Sequence, residues 1–410
     1  MGYLKTTISA VSWSVATRWV LRGLSFVKLA ILARILLPSQ FGVFGIATLI
    51  LGFLEMVTET WVNVFLVQEE GEIDAYVDTA WIVSIVRGIF IFIIIYLASI
   101  PISTFFSSPQ SLPVIRLISF VPLVRGFINP SEAKMQKNLL FRREFAFRSG
   151  LFITEAALAI IVSILTRNAI GLGVGMLVSA IAEVFLSFIM FNPRPKFVWS
   201  KQVARLIINR GKWVTAAGIL NYVYQNGDNV VVGKMLGTTS LGLYDPAYKI
   251  SGLPVSEVSD VVAKVTFPVF VKLRHDLDRL HKAFYQTFII SNLITISIGL
   301  TIFLFSKLVI LIILGSNWLP AVSALRVLCL CGISKAVISS IYPLFLATKN
   351  QQFITWVTFV SSLILLLTIF PAVSAYGLVG AGISAALGSL VALPLAFFYV
   401  HKIFKTSISL

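Results

Sequence analysis

Ser14, Arg18, Arg22, Ser25 and Lys28 follow one another at steps of four, four, three and three, the spacing that lines side chains along one stripe of an α-helix. Three cations on one stripe can grip a phosphate or carboxylate through charge-assisted hydrogen bonds. The surrounding residues 10–34 are otherwise apolar, which makes the stripe part of a membrane span. There each buried cation costs between about 2.5 and 17 kcal/mol, so the stripe calls for water, a carboxylate partner or an anionic solute. A plainer arrangement also meets that cost: Arg18 and Lys28 reach toward opposite interfaces and only Arg22 stays deep.

Carboxylates recur on the same period. Thr48, Gly52, Glu55, Glu59 and Asn63 share one helical face, and Gly218, Asn221, Gln225 and Asp228 share another. Glu257, Asp260 and Lys264 sit close together further on. Glu55, Glu59, Asp228, Glu257 and Asp260 are therefore candidates either for salt bridges to buried cations or for carrying a coupling H+ or Na+. Arg116, Arg326 and Lys335 join Arg18, Arg22 and Lys28 as the cationic substrate-binding set. Taken one by one, Arg116, Arg326 and Lys335, like Arg87, Arg125, Glu155 and Glu183, read as interhelical pairs or interface residues, and only the ensemble argues for a hydrated cavity. No metal-ligand cluster, no phosphate loop with Gly-Lys-Ser/Thr and no nucleophile elbow is found, so neither a cofactor nor an enzymatic activity is expected.

What positions these residues is a chain of membrane helices. Of the 410 residues 58% are hydrophobic and only 12% charged, far from the roughly 25% charged of soluble domains. The mean hydropathy is +0.93. Stretches of about 20 apolar residues recur, giving twelve spans: 10–34, 42–65, 79–103, 112–131, 146–166, 170–191, 213–236, 241–268, 284–306, 320–347, 353–374 and 376–401. The first apolar segment contains Arg18, Arg22 and Lys28 and no cleavage site, so it is kept as a span. Cys329 and Cys331 lie two apart in one span, where their side chains diverge, and read as packing residues.

The net charge of +16 follows membrane topology rather than a nucleic-acid partner. With a cytoplasmic N-terminus, Lys134, Lys137, Arg142, Arg143 and Arg148 fall inside, as do Arg194, Lys196, Lys201, Arg205, Arg210 and Lys212. Lys272, Arg274, Arg279, Lys282, Lys349, Lys402 and Lys405 join them, and both termini are expected in the cytoplasm. The acidic loop of Glu69, Glu70, Glu72 and Asp74 is the least typical of this side. Trp199, Val203 and Leu206, and again Leu273, Leu277, Leu280 and Phe284, form apolar faces of interfacial helices.

Arg34–Phe44 aligns without a gap to Lys234–Tyr244, after which Ala47, Ile50 and Gly52 match Ala247, Ile250 and Gly252. A weaker echo pairs Arg116 and Arg125 with Arg326 and Lys335. The chain is thus expected to be an all-α membrane protein of about twelve transmembrane helices in two parallel six-helix halves. Residues 1–191 form the N-terminal half, 192–212 a basic cytoplasmic linker with an interfacial helix, and 213–410 the C-terminal half.

The stretch Ala33-Arg-Ile-Leu-Leu-Pro-Ser-Gln-Phe-Gly-Val-Phe-Gly-Ile-Ala47 resembles the opening of bacterial polysaccharide-export flippases, as does Gln136-Lys-Asn-Leu-Leu-Phe-Arg-Arg-Glu-Phe145. Asp228, Gly233–Gly237, Leu241–Tyr244, Phe267-Pro268 and Gly315–Trp318 before Arg326 extend the likeness over nearly the whole chain. The resemblance is to the Wzx-type flippases of O-antigen and exopolysaccharide, in the superfamily of multidrug extruders and the lipid II flippase. It implies alternating-access transfer of an undecaprenyl-diphosphate-linked oligosaccharide from the cytoplasmic to the periplasmic leaflet of the bacterial inner membrane. Its partners would be the bilayer and the polymerase and export machinery. The first competing reading is a cation-coupled multidrug exporter, which the basic first span disfavours. The second is a membrane glycan polymerase, which outer loops of no more than about 15 residues disfavour.

Overall fold

Backbone in hydrocarbon must satisfy its own hydrogen bonds, and the described residues do so with helices and no strand. The computed structural model describes the backbone of residues 2–58, 62–68, 73–253 and 258–406. Within it, all side chains are described except those of residues 2–12, 14, 15, 63, 64, 68, 208–217, 220, 260, 261 and 406.

The first stretch holds α1 (Gly2–Ile35), α2 (Pro38–Val57), α3 (Val62–Gln68), α4 (Asp74–Phe105), α5 (Leu112–Arg125), α6 (Ala133–Lys137), α7 (Phe141–Thr166) and α8 (Ile170–Met190). It is followed by α9 (Lys201–Ser251), α10 (Asp260–Leu273), α11 (Leu277–Leu304), α12 (Ser306–Ile313), α13 (Val322–Ala347) and α14 (Gln351–Thr406). Among the described residues seven helices are long and apolar enough to cross a membrane by themselves. The bent pair Pro109–Arg125 and Pro130–Lys137, at 72°, makes an eighth. Two helices are broken by a kink, α9 at Gly237 and α14 at Gly377, each where the sequence reading separates two of its twelve passages.

Two spans end earlier than their sequence reading. The second stops at Val57, and Val62–Gln68 is a separate short helix. The fourth stops at Arg125, because Pro130 has no N–H and drives Asn129 into extended backbone, φ −69° and ψ 114°. The Asn129 side chain then accepts from Ser131 N at 3.0 Å and starts the next turn. Of the eighth, α9 is described to Ser251 and α10 from Asp260.

The repeat is visible in the turns. Pro38 at the first position of α2 holds Leu37 extended, ψ 157°, and so ends α1. In the gapless alignment Leu37 matches Gly237, the break in α9, whose φ of 81° suits only glycine comfortably. The offset relating Arg116 to Arg326 also relates Arg167, the left-handed cap of α7 at φ 51°, to Gly377 at φ 56° in α14. Each half therefore turns at matching places.

The chain divides into two compact units, Met1–Tyr222 and Val223–Leu410, and the division falls inside the seventh span. In the first unit Leu32 and Leu36 of α1 pack on Ala159 of α7 and Leu172 of α8. At its basic end Phe65, Leu66, Ile73, Val77, Ala133, Ala204 and Ile207 form a second core. Val203 and Leu206 lean on that core, so the first turns of α9 rest on protein, while Trp199 stays 55% exposed. In the second unit Phe270, Leu280, Phe284, Phe345 and Phe353 are central to the core. The apolar face read from Leu273 to Phe284 thus packs inward. Cys329 and Cys331 are free and buried.

Candidate functional site

In the first unit α1 carries the cationic stripe. Thr17 and Ser25 return their hydroxyls to the carbonyls of Trp13 and Leu21, each at 2.8 Å, which leaves the stripe defined by its charges. Arg18, Arg22 and Lys28 are all partly buried. The Arg22 guanidinium lies 5.9 Å from the Phe26 ring centroid. Lys28 donates to Glu155 of α7 and lies 5.6 Å from the Phe152 ring. Its partner is therefore a carboxylate of the same unit, one the sequence suggested as an interhelical pair.

Glu55 of α2 is partly buried, and its backbone carbonyl accepts from Arg87 of α4 at 2.7 Å. Arg87 Nε also donates to Thr58 Oγ1 at 3.2 Å. Glu59 and Glu257 lie outside the described residues, as do the side chains of Ser14, Asn63 and Asp260 and the acidic positions Glu69, Glu70 and Glu72. Asp74, the last acid of that loop, pairs with Lys134 at 2.7 Å.

Arg116 and Arg326 occupy matching places. Each sits in the second turn of its helix, and each donates through Nε to a serine, Arg116 to Ser99 at 3.3 Å and Arg326 to Ser306 at 2.9 Å. Arg116 also lies 5.5 Å from the Tyr96 ring. Both thus belong to one end of their units, well along the helix from Arg125 and Lys335.

The other end of the first unit holds a closed charge network. Arg148 of α7 donates to Glu183 of α8 at 3.0 Å and to Glu132, and Arg125 lies 3.5 Å from Glu183. Both carboxylates are under 10% exposed, and two cations offset them. Sequence reading named Arg125 and Glu183 singly but not their junction with Arg148 and Glu132. Those four come from four separate segments, so no spacing rule joins them.

The second unit holds the most enclosed constellation. Asp228 of α9 is 1% exposed, accepting from the Tyr244 hydroxyl at 2.9 Å and from Asn229 N at 2.9 Å. Lys335 of α13 donates to the Tyr248 hydroxyl at 2.7 Å. Its ammonium also lies 4.6 Å from the Tyr224 ring centroid and 5.1 Å from that of Tyr248. Ser361 donates to the Tyr224 hydroxyl at 3.4 Å, tying α14 to the group. Asn221 and Gln225, on the same face of α9 as Asp228, are exposed. The face therefore passes from open to fully buried within two turns.

Sequence reading found Asp228 and Lys335 but missed the three tyrosines around them. Their signal was present: Tyr224 lies four residues before Asp228, and Tyr248 four after Tyr244. An ammonium between aromatic faces with a phenol at hydrogen-bond distance keeps its charge at little cost. Such a group can hold an anion or shift its bond from phenol to ligand.

Helices long and apolar enough to cross a bilayer, with cations inside the spans and breaks at matching positions, define a multi-pass membrane protein. Residues 31–323 match the family described as polysaccharide biosynthesis protein, and the chain belongs to that family. It is 25% identical over 400 residues to an uncharacterized membrane protein in the cps region of Klebsiella pneumoniae, covering 97% of this chain and 82% of the relative. Its identity to the lipopolysaccharide biosynthesis protein WzxC of Escherichia coli (strain K12) is 23%, over 95% of this chain and 79% of WzxC. Its fold is that of the lipid II flippase MurJ in the inward closed conformation, with a TM-score of 0.74, 15% identity, and 96% and 89% of the two chains covered.

Proposed function

We propose that this protein is a flippase that moves a lipid-diphosphate-linked oligosaccharide across the bacterial inner membrane, from the cytoplasmic to the periplasmic leaflet, by alternating access. One observation carries the reading: a member of a polysaccharide biosynthesis family is made almost wholly of membrane helices. In this reading the chain contributes passage rather than bond making. Named relatives act in lipopolysaccharide biosynthesis and in succinoglycan transport.

The cationic stripe of α1 suits the diphosphate, and its guanidinium groups can each give two parallel hydrogen bonds. The lipid tail would remain in the bilayer while the headgroup follows the polar faces. Undecaprenyl as the lipid, H+ or Na+ as the coupling ion and both termini in the cytoplasm are parts of this proposal. So are the absence of catalysis and a hand-over to polymerase and export machinery.

The test follows a fluorescent lipid-diphosphate oligosaccharide across proteoliposomes holding wild type or Arg18→Ala/Arg22→Ala protein. Transport by wild type and its loss in the folded variant support the flippase. Efflux of cationic drugs without glycan transport would replace it with the extruder reading.

A further inference from the structure

The basic end of the second unit contains a pocket that the transport reading leaves unused. It is a cavity of about 480 Å3 whose walls include Arg274, His275, Lys349, Asn350, Phe353 and Lys402. These residues come from the α10–α11 turn, the α13–α14 turn and both ends of α14, so the fold gathers charges far apart in sequence. Arg274, Lys349 and Lys402 are cationic, and no residue lining the cavity is acidic. Two acids lie beside the lining in sequence, Asp276 and the exposed Asp278, and Asp276 is committed to Arg279, accepting from its backbone N at 3.1 Å and pairing with its Nε at 3.1 Å.

The pocket is built rather than incidental. Arg274 Nε donates to His275 Nε2 at 2.9 Å, and a guanidinium has four further N–H groups to offer an anion. Lys349 sits in the left-handed region at φ 60°, where its N–H and that of Asn350 close the end of α13 on Leu346 O at 3.1 Å and Phe345 O at 2.8 Å. This closure sets the Lys349 cation at the negative end of the α13 dipole. The Lys402 ammonium lies 5.9 Å from the Phe353 ring, which stacks on Tyr399 with centroids 4.1 Å apart and planes within 3°. Ala347, Phe353 and Ile403 of the floor are buried in the core of the unit. The cavity therefore combines an apolar floor with a cationic wall, at a size that admits a headgroup rather than a bare ion.

We propose that this pocket binds the phosphate group of a membrane lipid at the cytoplasmic interface. Its residues all lie on the face to which the excess of Lys and Arg assigns the cytoplasm, where anionic headgroups concentrate. The phosphate has two sources, an anionic phospholipid of the bilayer or a polyprenyl diphosphate. Binding here is independent of the cationic stripe of α1 and of the Lys335 group.

Native mass spectrometry of the purified full chain tests this, with phosphatidylglycerol or cardiolipin in one arm and polyprenyl diphosphate in the other. Phosphatidylcholine serves as the zwitterionic reference. Lys349→Gln/Lys402→Gln removes two wall charges, and Lys282→Gln/Lys405→Gln removes the same charge from exposed positions outside the pocket. The expected result is about a tenfold loss of retained lipid in the pocket variant, in at least one arm, with the control within twofold of wild type. The arm that responds identifies the source. Equal loss in both variants, or no loss in either arm, overturns the proposal. If the double pocket variant fails to fold, the exposed single change Lys402→Gln takes its place: selective loss of lipid against the control supports the pocket, and equal or absent loss overturns it.

Discussion

Lys335 of α13 and Tyr248 of α9 meet at 2.7 Å, ammonium to phenol, with Asp228 engaged by Tyr244 on the same helix as Tyr248. A lysine inside a span thus has a neutral hydrogen-bond acceptor and two aromatic faces. Charge-assisted bonds of this kind contribute roughly 1.5–3 kcal/mol. Lys335→Met should lower oligosaccharide flipping at least about tenfold while Tyr248→Phe, which keeps the ring, should lower it less. Flipping rates in proteoliposomes, with detergent-solubilised thermal midpoints as the folding control, check both. Equal rates for Lys335→Met and wild type would remove Lys335 from the transport path.

A different balance governs Lys28 and Glu155, whose side chains are 15% and 23% exposed. Removing one partner strands the other charge in a low-dielectric setting, which costs about 3 kcal/mol when the pair is well buried. Lys28→Ala should therefore depress the thermal midpoint, and Lys28→Glu/Glu155→Lys should recover most of the loss. Recovery of the midpoint without recovery of flipping would place Lys28 on the substrate path as well as in the structure. Failure of the swap to recover stability would mean that the pair does not hold α1 to α7.

The turns of the two halves allow opposite substitutions at matching places. Gly377 has φ 56° and Arg167 φ 51°, yet only one of them is glycine. Their ψ values differ: Arg167, at ψ 33°, is left-handed helical, where a Cβ costs about 1–2 kcal/mol, whereas Gly377, at ψ −131°, lies where a Cβ is more strained still. Gly377→Ala should lower the thermal midpoint, and Arg167→Gly should leave it unchanged or raise it slightly. Midpoints measured side by side in one detergent decide between these directions, and a stabilising Gly377→Ala would contradict a positive φ at that break.

Much of this fold was legible because a bilayer imposes a coarse rule, and a run of apolar residues long enough to cross it leaves few alternatives to a helix. The gapless match of Arg34–Phe44 with Lys234–Tyr244 went further, since Leu37 and Gly237 both fall where a helix breaks. What hydropathy does not encode is where a span stops early. The end of α5 at Arg125 depends on Pro130 and the Asn129 cap, features of local chemistry rather than of apolar length. The candidate site was legible only in its charges. Buried ions stand out against an apolar background, whereas Tyr224, Tyr244 and Tyr248 are ordinary span residues by composition and acquire meaning only beside Lys335 and Asp228. The Arg148, Glu132 and Glu183 junction was hidden for another reason: its members lie on separate segments, and no helical period links them.

That junction carries its own prediction. Arg148 serves two carboxylates, each under 10% exposed, and burial pushes the Glu132 carboxyl up to about 7 while Arg148 opposes the shift. Arg148→Gln removes that opposition, so the protein should lose stability, and lose more of it as pH rises above 7 and Glu132 must ionise beside Glu183. The added change Glu132→Gln should restore part of it, because removing one of two facing carboxylates removes their repulsion. Chemical or thermal unfolding of both variants, compared with Glu132→Gln alone, measures the coupling, and strict additivity would show that the network is not shared.

Asp228 is the buried carboxylate at which ion coupling can be tested. The carboxylate is 1% exposed and accepts from a phenol and a backbone N–H, an arrangement that also suits a purely structural acceptor. The two roles separate under substitution. Asp228→Asn keeps the shape and one acceptor but abolishes any exchange of H+ or Na+ at that position. As a structural acceptor it would lose some stability and transport while the remaining flipping still responded to an imposed pH or Na+ gradient. As a coupling site it would fold and flip down the lipid gradient, but at a rate indifferent to either ion gradient. We expect the second outcome, because Asp228 is an almost wholly buried carboxylate within a span, on the helical face that also carries the polar Asn221 and Gln225. Flipping by Asp228→Asn protein measured with and without a pH gradient, and again with and without a Na+ gradient, distinguishes them. A gradient response equal to that of wild type would move coupling away from Asp228.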